Sequence, residues 1–266
     1  MPIATTITDR VPADLVEAFR RDGYVVVTNL LGPDELAAIG PAITRAVTAP
    51  WTAAHEAHNV WERAPDGREL AAHPAIAATA AALIGADALR LWSDHACFDE
   101  PGAGAVEPHR DQDDWPISEA RTITAWIPLD LASAVNGSAE PCRGYVPGSH
   151  RAGLRRLLSA RCTDDVLADD VLADGDEQDT PAPPAPALVE VPPGAVAFHH
   201  GLTVHLVGPN TGTRVRRSHE VTYFADGCTR GPGPGHDSVD RTGIGPGAVI
   251  DGPVTPLVWS HARDRS

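Results

Sequence analysis

The chain has 266 residues, 42% of them hydrophobic, and a formal net charge of −15 at pH 7. That length and apolar fraction suit one well-filled core, no run approaches the roughly 18 apolar residues of a membrane span, and an acidic surface has no attraction for nucleic acid or an anionic membrane. The 21 Lys-plus-Arg residues are all arginine, which excludes pyridoxal phosphate and Schiff-base chemistry, both dependent on a lysine amine, and a phosphate loop of the G-x-x-x-x-G-K type.

In chain order, Pro12 to Asp22 reads as a short helix with Leu15 and Phe19 on one face, stopped by Gly23. Tyr24 to Leu31 is strand-like, and Gly32-Pro33-Asp34-Glu35-Leu36 opens a second helix with proline in its first turn. Arg68 to Ile84 is alanine-rich and predicts a further helix ending at Gly85, so residues 1–88 are expected to form a largely helical buttress. From Leu89 the pattern changes to short β-branched and aromatic runs separated by Gly, Pro, Asn and Asp, the signature of a sandwich or barrel. The expected fold is therefore mainly β with flanking α-helices, one domain over 1–266 with its β core in 89–266. Within that core, Asp164 to Asp174 repeats an acidic five-residue unit and a proline run follows to Ala187, which predicts a mobile insertion over 164–187 beside the mouth of any cavity. The four cysteines, Cys97, Cys142, Cys162 and Cys228, form no C-x-x-C pair and the first residues carry no signal-peptide pattern, so a cytoplasmic protein is expected.

The chemistry concentrates at His109-Arg110-Asp111 and, far downstream, at His205. Residues i and i+2 of a strand point to the same side, so His109 and Asp111 can grip one metal while Arg110 turns away. His205, near the end of the apolar run Leu202 to Leu206, can supply a third ligand from another strand. Two imidazoles and one carboxylate are the facial set that holds non-haem iron(II) with open positions. The same donors also suit zinc, which leaves a non-redox isomerase or hydrolase as the competing reading. An H-x-D pair alone is a weak signal in a chain with 12 histidines.

The surrounding text is more specific. Trp92-Ser93-Asp94-His95-Ala96, Glu100-Pro101-Gly102, His109-Arg110-Asp111 with Trp115-Pro116, Thr124-Ala125-Trp126-Ile127-Pro128-Leu129-Asp130, Asn136-Gly137, Val146-Pro147-Gly148-Ser149-His150, Pro193-Gly194, Phe198-His199-His200-Gly201, His205, Gly208-Pro209-Asn210 and Arg216-Arg217 follow one another in an order and spacing that resemble the phytanoyl-CoA dioxygenase family. The resemblance covers most of the chain. It implies a double-stranded β-helix, the jelly-roll core of cupin-like oxygenases, with His109, Asp111 and His205 as iron(II) ligands, 2-oxoglutarate as cosubstrate and O2 as oxidant. It also implies that Arg216, eleven residues past the last ligand, holds the distal carboxylate of 2-oxoglutarate; a planar guanidinium suits that task through two parallel charge-assisted hydrogen bonds. Arg214, on the same strand face, is the substitute.

The resemblance further places Asp94, Ala96 and Phe98 on a strand face towards the substrate. Asp113, Asp114 and Trp115 follow the H-x-D directly and are expected to rim the entrance, or else to form a solvated turn. Trp126 is a candidate cosubstrate contact, or else core. Of His199 and His200, one at most can approach the metal. Arg110 departs from the glutamine often found there in the family. The reaction implied is oxidation, by default hydroxylation, of a small organic molecule of specialised metabolism, with cyclisation, desaturation and epimerisation as alternative outcomes on the same start. Halogenation is not expected, because Asp111 fills the position that chloride would need. An acyl-CoA substrate is disfavoured by the absence of lysine, although Arg151, Arg155, Arg156 and Arg161 form a local cluster. Nothing in the sequence fixes the oligomeric state.

Overall fold

The computed structural model describes residues 5–6, 11–49, 56–130, 143–151 and 184–261. The expected insertion at 164–187 therefore lies, up to residue 183, outside the described residues, as do Asn136-Gly137, Cys142, Cys162 and three arginines of the cluster that follows His150.

The chain opens with strand β1 (Thr5–Thr6), helix α1 (Ala13–Asp22), β2 (Tyr24–Thr28) and α2 (Pro33–Val47). Gly23 ends α1 at φ 82°, the left-handed conformation that only glycine adopts without cost, and a side chain there would also collide with His150 and Thr203. Strand β3 (Glu56–His58) and the short helices α3 (Val60–Arg63) and α4 (Pro65–Ala71) lead to α5 (Pro74–Ile84). The single helix expected over 68–84 is thus two. Pro74 cannot donate to a helix running in from α4, so the chain breaks before it and restarts with proline in the first turn.

Eight strands follow that pass between two sheets: β4 (Ala88–Asp99), β5 (Val106–His109), β6 (Thr122–Pro128), β7 (Arg143–Tyr145), β8 (Ala187–Val189), β9 (Val196–His200), β10 (His205–Val207) and β11 (Arg216–Ala225). A four-residue helix α6 (Asp237–Asp240) and β12 (Leu257–Ser260) complete the described chain. The major sheet has the order β1-β2-β9-β6-β11-β4-β12, with β3 also paired to β4, and the minor sheet the order β5-β10-β7-β8. Strands β4 to β11 thus form the two four-stranded faces of a double-stranded β-helix, the jelly roll that the resemblance implied. The N-terminal segment widens the major sheet as well as buttressing it. No helix among the described residues is long and apolar enough to cross a membrane.

The two faces of the major sheet differ in chemistry. Ile123, Ala125 and Ile127 of β6, Val196 and Phe198 of β9, Val221 and Tyr223 of β11, and Val25 and Val27 of β2 pack with Leu15, Phe19, Ile43, Leu70, Ile76 and Leu83 of the helices in one apolar core. Each such large side chain contributes about 1.5–3 kcal/mol by leaving water. The alternate residues face the minor sheet, where Tyr24, Val26, Trp126, Tyr145 and Ala197 form a smaller cluster among the polar Thr124, His199, Glu220 and Thr222.

This alternation corrects one expectation. Asp94, Ala96 and Phe98 do not face the cavity: Ala96 and Phe98 belong to the helix-side core, and Asp94 is 1% exposed. Its carboxylate accepts hydrogen bonds from the backbone N–H of Trp61 at 3.1 and 3.2 Å and from His219 Nε2 at 3.0 Å. A register shift between β4 and β11, at Thr222/Tyr223, changes the pairing there. Ser93, His95, Cys97 and Asp99 are the β4 residues on the other face. Asp94→Ala leaves two buried donors without an acceptor, each costing about 1–3 kcal/mol. It should therefore lower unfolding stability by at least about 2 kcal/mol by that principle while divalent-metal affinity stays at the wild-type value; chemical denaturation and metal titration of the variant check both.

Candidate metal centre

Strand β5 ends at His109, and Asp111 opens a 3-10 turn over Asp111–Asp114. The aspartate was expected on the strand and instead lies two residues beyond its end. The i, i+2 relation survives because Arg110 between them stays extended, at φ −127° and ψ 127°, and turns away to pair with Asp113 at 2.7 Å. His205 begins β10, where its Cα partners are His109 on one side and Tyr145 on the other. Two neighbouring strands of the minor sheet thus present the imidazoles side by side, with ring centroids 4.3 Å apart.

Hydrogen bonds decide which atoms are free. His109 Nδ1–H donates to the carbonyl of Glu107 at 2.8 Å, and His205 Nδ1–H to the carbonyl of Thr203 at 3.0 Å. Each ring is thereby fixed in the tautomer that leaves Nε2 with a lone pair. Asp111 Oδ2 accepts from Thr124 Oγ1 at 2.8 Å and from His199 Nε2 at 3.0 Å. Oδ1 is left facing His205 Nε2 at 3.3 Å and His109 Nε2 at 3.7 Å. Three donor atoms, all within 4.8 Å of one another, thus converge from His109, Asp111 and His205.

The protonation states suit that role. Burial pushes the Asp111 carboxyl up, but the His205 ring and the hydrogen bonds from His199 and Thr124 outweigh it and hold the group below the usual carboxylate range. Burial pushes His205 well below the usual imidazole value, against the attraction of Asp111. An ionised carboxylate and a neutral imidazole are the forms that bind a divalent cation.

The turn carrying Asp111 is pinned by Gln112, which the sequence reading did not single out. Its backbone N–H donates to the carbonyl of Gly201 at 2.9 Å. Its Oε1 accepts from Thr122 Oγ1 at 2.7 Å, and its Nε2 donates to the carbonyl of Glu119 at 2.8 Å. Thr124 and His199 were also missed as partners of Asp111. Strand parity carried the available signal: 122, 124 and 126 lie on the face opposite the apolar 123, 125 and 127, and His199 lies on the face opposite Phe198. His200 turns away and meets the carbonyl of Ala120 at 3.0 Å, and His150 that of Arg20 at 3.2 Å.

The remaining expected site residues fall as follows. Trp126 is buried on the face towards the minor sheet, and the Arg143 guanidinium lies 5.4 Å from its ring centre. Trp115 packs against the helix-side core, its ring centre 6.1 Å from that of Trp92, and is not at an entrance. Asp113 is exposed and paired with Arg110. Arg216 Nε donates to Asp99 Oδ2 at 2.9 Å, its NH2 to the carbonyl of Gly208 at 2.8 Å and its NH1 to that of Pro209 at 3.4 Å.

A second group, Glu56, His58 and His95, also brings donor atoms within 4.8 Å. Its two rings are stacked at 4.1 Å with planes 4° apart. Nitrogen lone pairs lie in the ring plane, so parallel stacked rings do not aim them at one ion. The geometry there is a ring stack and not a chelate.

His199→Ala should weaken Mn(II) binding roughly 10–100-fold, as loss of a partner that orients a ligand does, while His200→Ala leaves it unchanged. Equal affinity of the His199 variant and the parent in a metal titration would contradict the role given to Asp111 Oδ2.

Comparison with known proteins agrees with this arrangement. The family model described as phytanoyl-CoA dioxygenase (PhyH) matches residues 19–218. A curated relative, phytanoyl-CoA dioxygenase domain-containing protein 1 of Danio rerio, is 32% identical over 131 residues, covering 47% of this chain and only 41% of the relative. Among solved structures, the non-haem α-ketoglutarate-dependent carbocyclase SnoK from nogalamycin biosynthesis is 28% identical with a TM-score of 0.74, covering 97% of this chain and all of that one. The epimerase SnoN, solved with Fe3+, α-ketoglutarate and nogalamycin RO, is 26% identical with a TM-score of 0.68, covering 92% of this chain and 98% of that one. EctD from S. alaskensis, at 17% identity and a TM-score of 0.66 over 93% of this chain and 90% of that one, shares the fold. With the family model spanning most of the chain and the jelly roll in place, the protein belongs to the phytanoyl-CoA dioxygenase family.

Proposed function

We propose that the protein oxidises a small organic substrate, by default hydroxylating it, with iron(II) held by His109, Asp111 and His205 and with 2-oxoglutarate as cosubstrate. As a member of its family the chain is an iron- and 2-oxoglutarate-dependent enzyme. The observation that carries the site assignment is the convergence of two Nε2 lone pairs and one carboxylate oxygen, each fixed by a hydrogen bond on its far side. This donor set, two imidazole nitrogens and one carboxylate oxygen, fits iron(II), which His109, Asp111 and His205 would hold. When bound, iron with 2-oxoglutarate supplies oxidising power from O2, and the cosubstrate leaves as succinate and carbon dioxide.

The chain's own residues bind, orient and shield. Thr124 and His199 hold Asp111 by its far oxygen, which aims the near one. Tyr145 and Trp126, fully or almost fully buried, exclude water from the space between the sheets. His109 is the exposed member, its side chain 43% accessible, against 1% for His205 and 12% for Asp111. Substrate therefore approaches from the β5 side, where all four strand residues are exposed. A second reading, cyclisation or epimerisation, is favoured by the likeness to SnoK and SnoN, a carbocyclase and an epimerase of one biosynthesis. Both outcomes share the metal, the cosubstrate and the exclusion of water.

The test is substrate-dependent succinate formation by protein stripped of metal and then reloaded, screened across amines, sugars, terpenoids, polyketides and acyl-CoA thioesters. Turnover is expected with iron(II) and a free small molecule, is abolished in His109→Ala and His205→Ala, and gives no chlorinated product in chloride buffer. Full turnover with zinc and no iron would make this a non-redox enzyme, and coupling to acyl-CoA alone would overturn the substrate class.

A further inference from the structure

We propose that Thr222 is a positioning residue for the metal: its hydroxyl acts on Asp111 through Thr124 and so favours divalent over trivalent iron, an inference that rests on the functional reading above. Thr222 of β11 and Thr124 of β6 are Cα partners in the major sheet, and their hydroxyl oxygens lie 3.2 Å apart. Both residues are buried. The contact by itself has no direction, since either hydroxyl could donate. Asp111 supplies the direction. An ionised carboxylate only accepts, so the 2.8 Å bond from Thr124 Oγ1 to Asp111 Oδ2 uses the single hydroxyl hydrogen of Thr124. The hydrogen between the two threonines then belongs to Thr222, and the chain runs one way, from Thr222 to Thr124 to Asp111.

That order has an electrostatic consequence. A hydroxyl that accepts a hydrogen bond becomes a stronger donor, by about 10–30% of the bond. Stronger donation to Oδ2 draws charge away from Oδ1, the oxygen left facing His109 Nε2 and His205 Nε2. Less charge on Oδ1 costs a trivalent ion more than a divalent one, because the attraction scales with the charge of the ion. Packing alone does not call for the hydroxyl. Valine would fill the same space and suits a strand as well as threonine does.

The sheet is irregular at this residue. Thr222 pairs with Ser93 of β4 and Tyr223 with Leu91, so Trp92 has no partner on β11. Such bulges re-aim side chains and are common beside functional sites. On the β6 side the pairing stays regular, Thr222 with Thr124 and Tyr223 with Ile123. The irregularity is therefore taken up by β4, where the Trp92 ring packs near Trp115 at 6.1 Å, and the threonine pair keeps its register beside Asp111.

Anaerobic redox titration of the full-length iron-loaded protein, without turnover, reads the relay. Thr222→Val should raise the ratio of Fe(III) to Fe(II) affinity about two- to fourfold, a fall in midpoint potential of about 20–35 mV at about 59 mV per tenfold. Thr222→Ser, which returns the hydroxyl, should restore the parent value. On a Thr124→Val background the same Thr222→Val change should have no effect, because the group it acts through is gone. An unchanged or higher potential in Thr222→Val, a serine variant that behaves like valine, or equal shifts on the two backgrounds overturns the proposal. Neutron diffraction of the unaltered protein in D2O covers the case in which a variant fails to fold. A deuteron on Thr222 Oγ1 pointing at Thr124 is expected, and one on Thr124 Oγ1 pointing at Thr222 overturns the relay. An unaltered protein that takes up no iron(II) contradicts the functional reading instead, and the deuteron positions in the same crystals still decide the direction of the chain.

Discussion

The site depends on how the two oxygens of Asp111 are divided between the sheets. Oδ2 belongs to the major sheet, where Thr124 of β6 and His199 of β9 donate to it; Oδ1 faces the minor sheet, where His109 of β5 and His205 of β10 present Nε2. A buried carboxylate without donors would be raised towards its neutral form, which cannot serve as a ligand. With two hydrogen bonds on one oxygen it stays ionised and its plane is set. The imidazoles are treated in the same way, since a backbone carbonyl holds each Nδ1–H and frees the opposite nitrogen. The preorganisation therefore comes from ordinary backbone and side-chain hydrogen bonds, and their cost is met by the fold around them.

That fold separates its duties by face. The helices cover one side of the major sheet with large aliphatic and aromatic groups, so the larger apolar core lies on the side away from its partner sheet. The inner face is then free to carry Thr124, His199, Glu220 and Thr222, residues that would be poor core formers. Because side chains alternate along a strand, one chemical pattern serves two needs. Gln112 completes the arrangement by fastening the turn that follows β5 to the β9–β10 loop, so Asp111 enters from a loop yet is held as firmly as a strand residue.

The grouping of His109, Asp111 and His205 as candidate ligands was legible in the sequence because His109 and Asp111 are two apart and His205 lies in an apolar run. The jelly roll was legible from the run of short strands and the family resemblance, and α1, β2 and α2 from their breakers, Gly23 and Pro33. Parity across an irregular pairing was not legible. Asp94, Ala96 and Phe98 were expected on the inner face and lie on the outer one, because a strand of 12 residues with a register shift gives no sign in its sequence of which alternation faces which layer. Partnership across long separations was hidden as well. Thr124 and His199 meet Asp111 from 13 and 88 residues away, Arg143 meets Glu220 from 77, and Arg216 meets Asp99 from 117. No local pattern encodes such pairs.

The central claim is that one metal ion sits on Nε2 of His109, Oδ1 of Asp111 and Nε2 of His205. Anomalous diffraction at the iron edge, from crystals grown anaerobically with iron(II), tests it most directly. The account predicts a single strong peak bonded to those three atoms, with Thr124 and His199 still on Asp111 Oδ2. A peak at Glu56, His58 and His95, or one bound through Nδ1 of either ligand histidine, would contradict it.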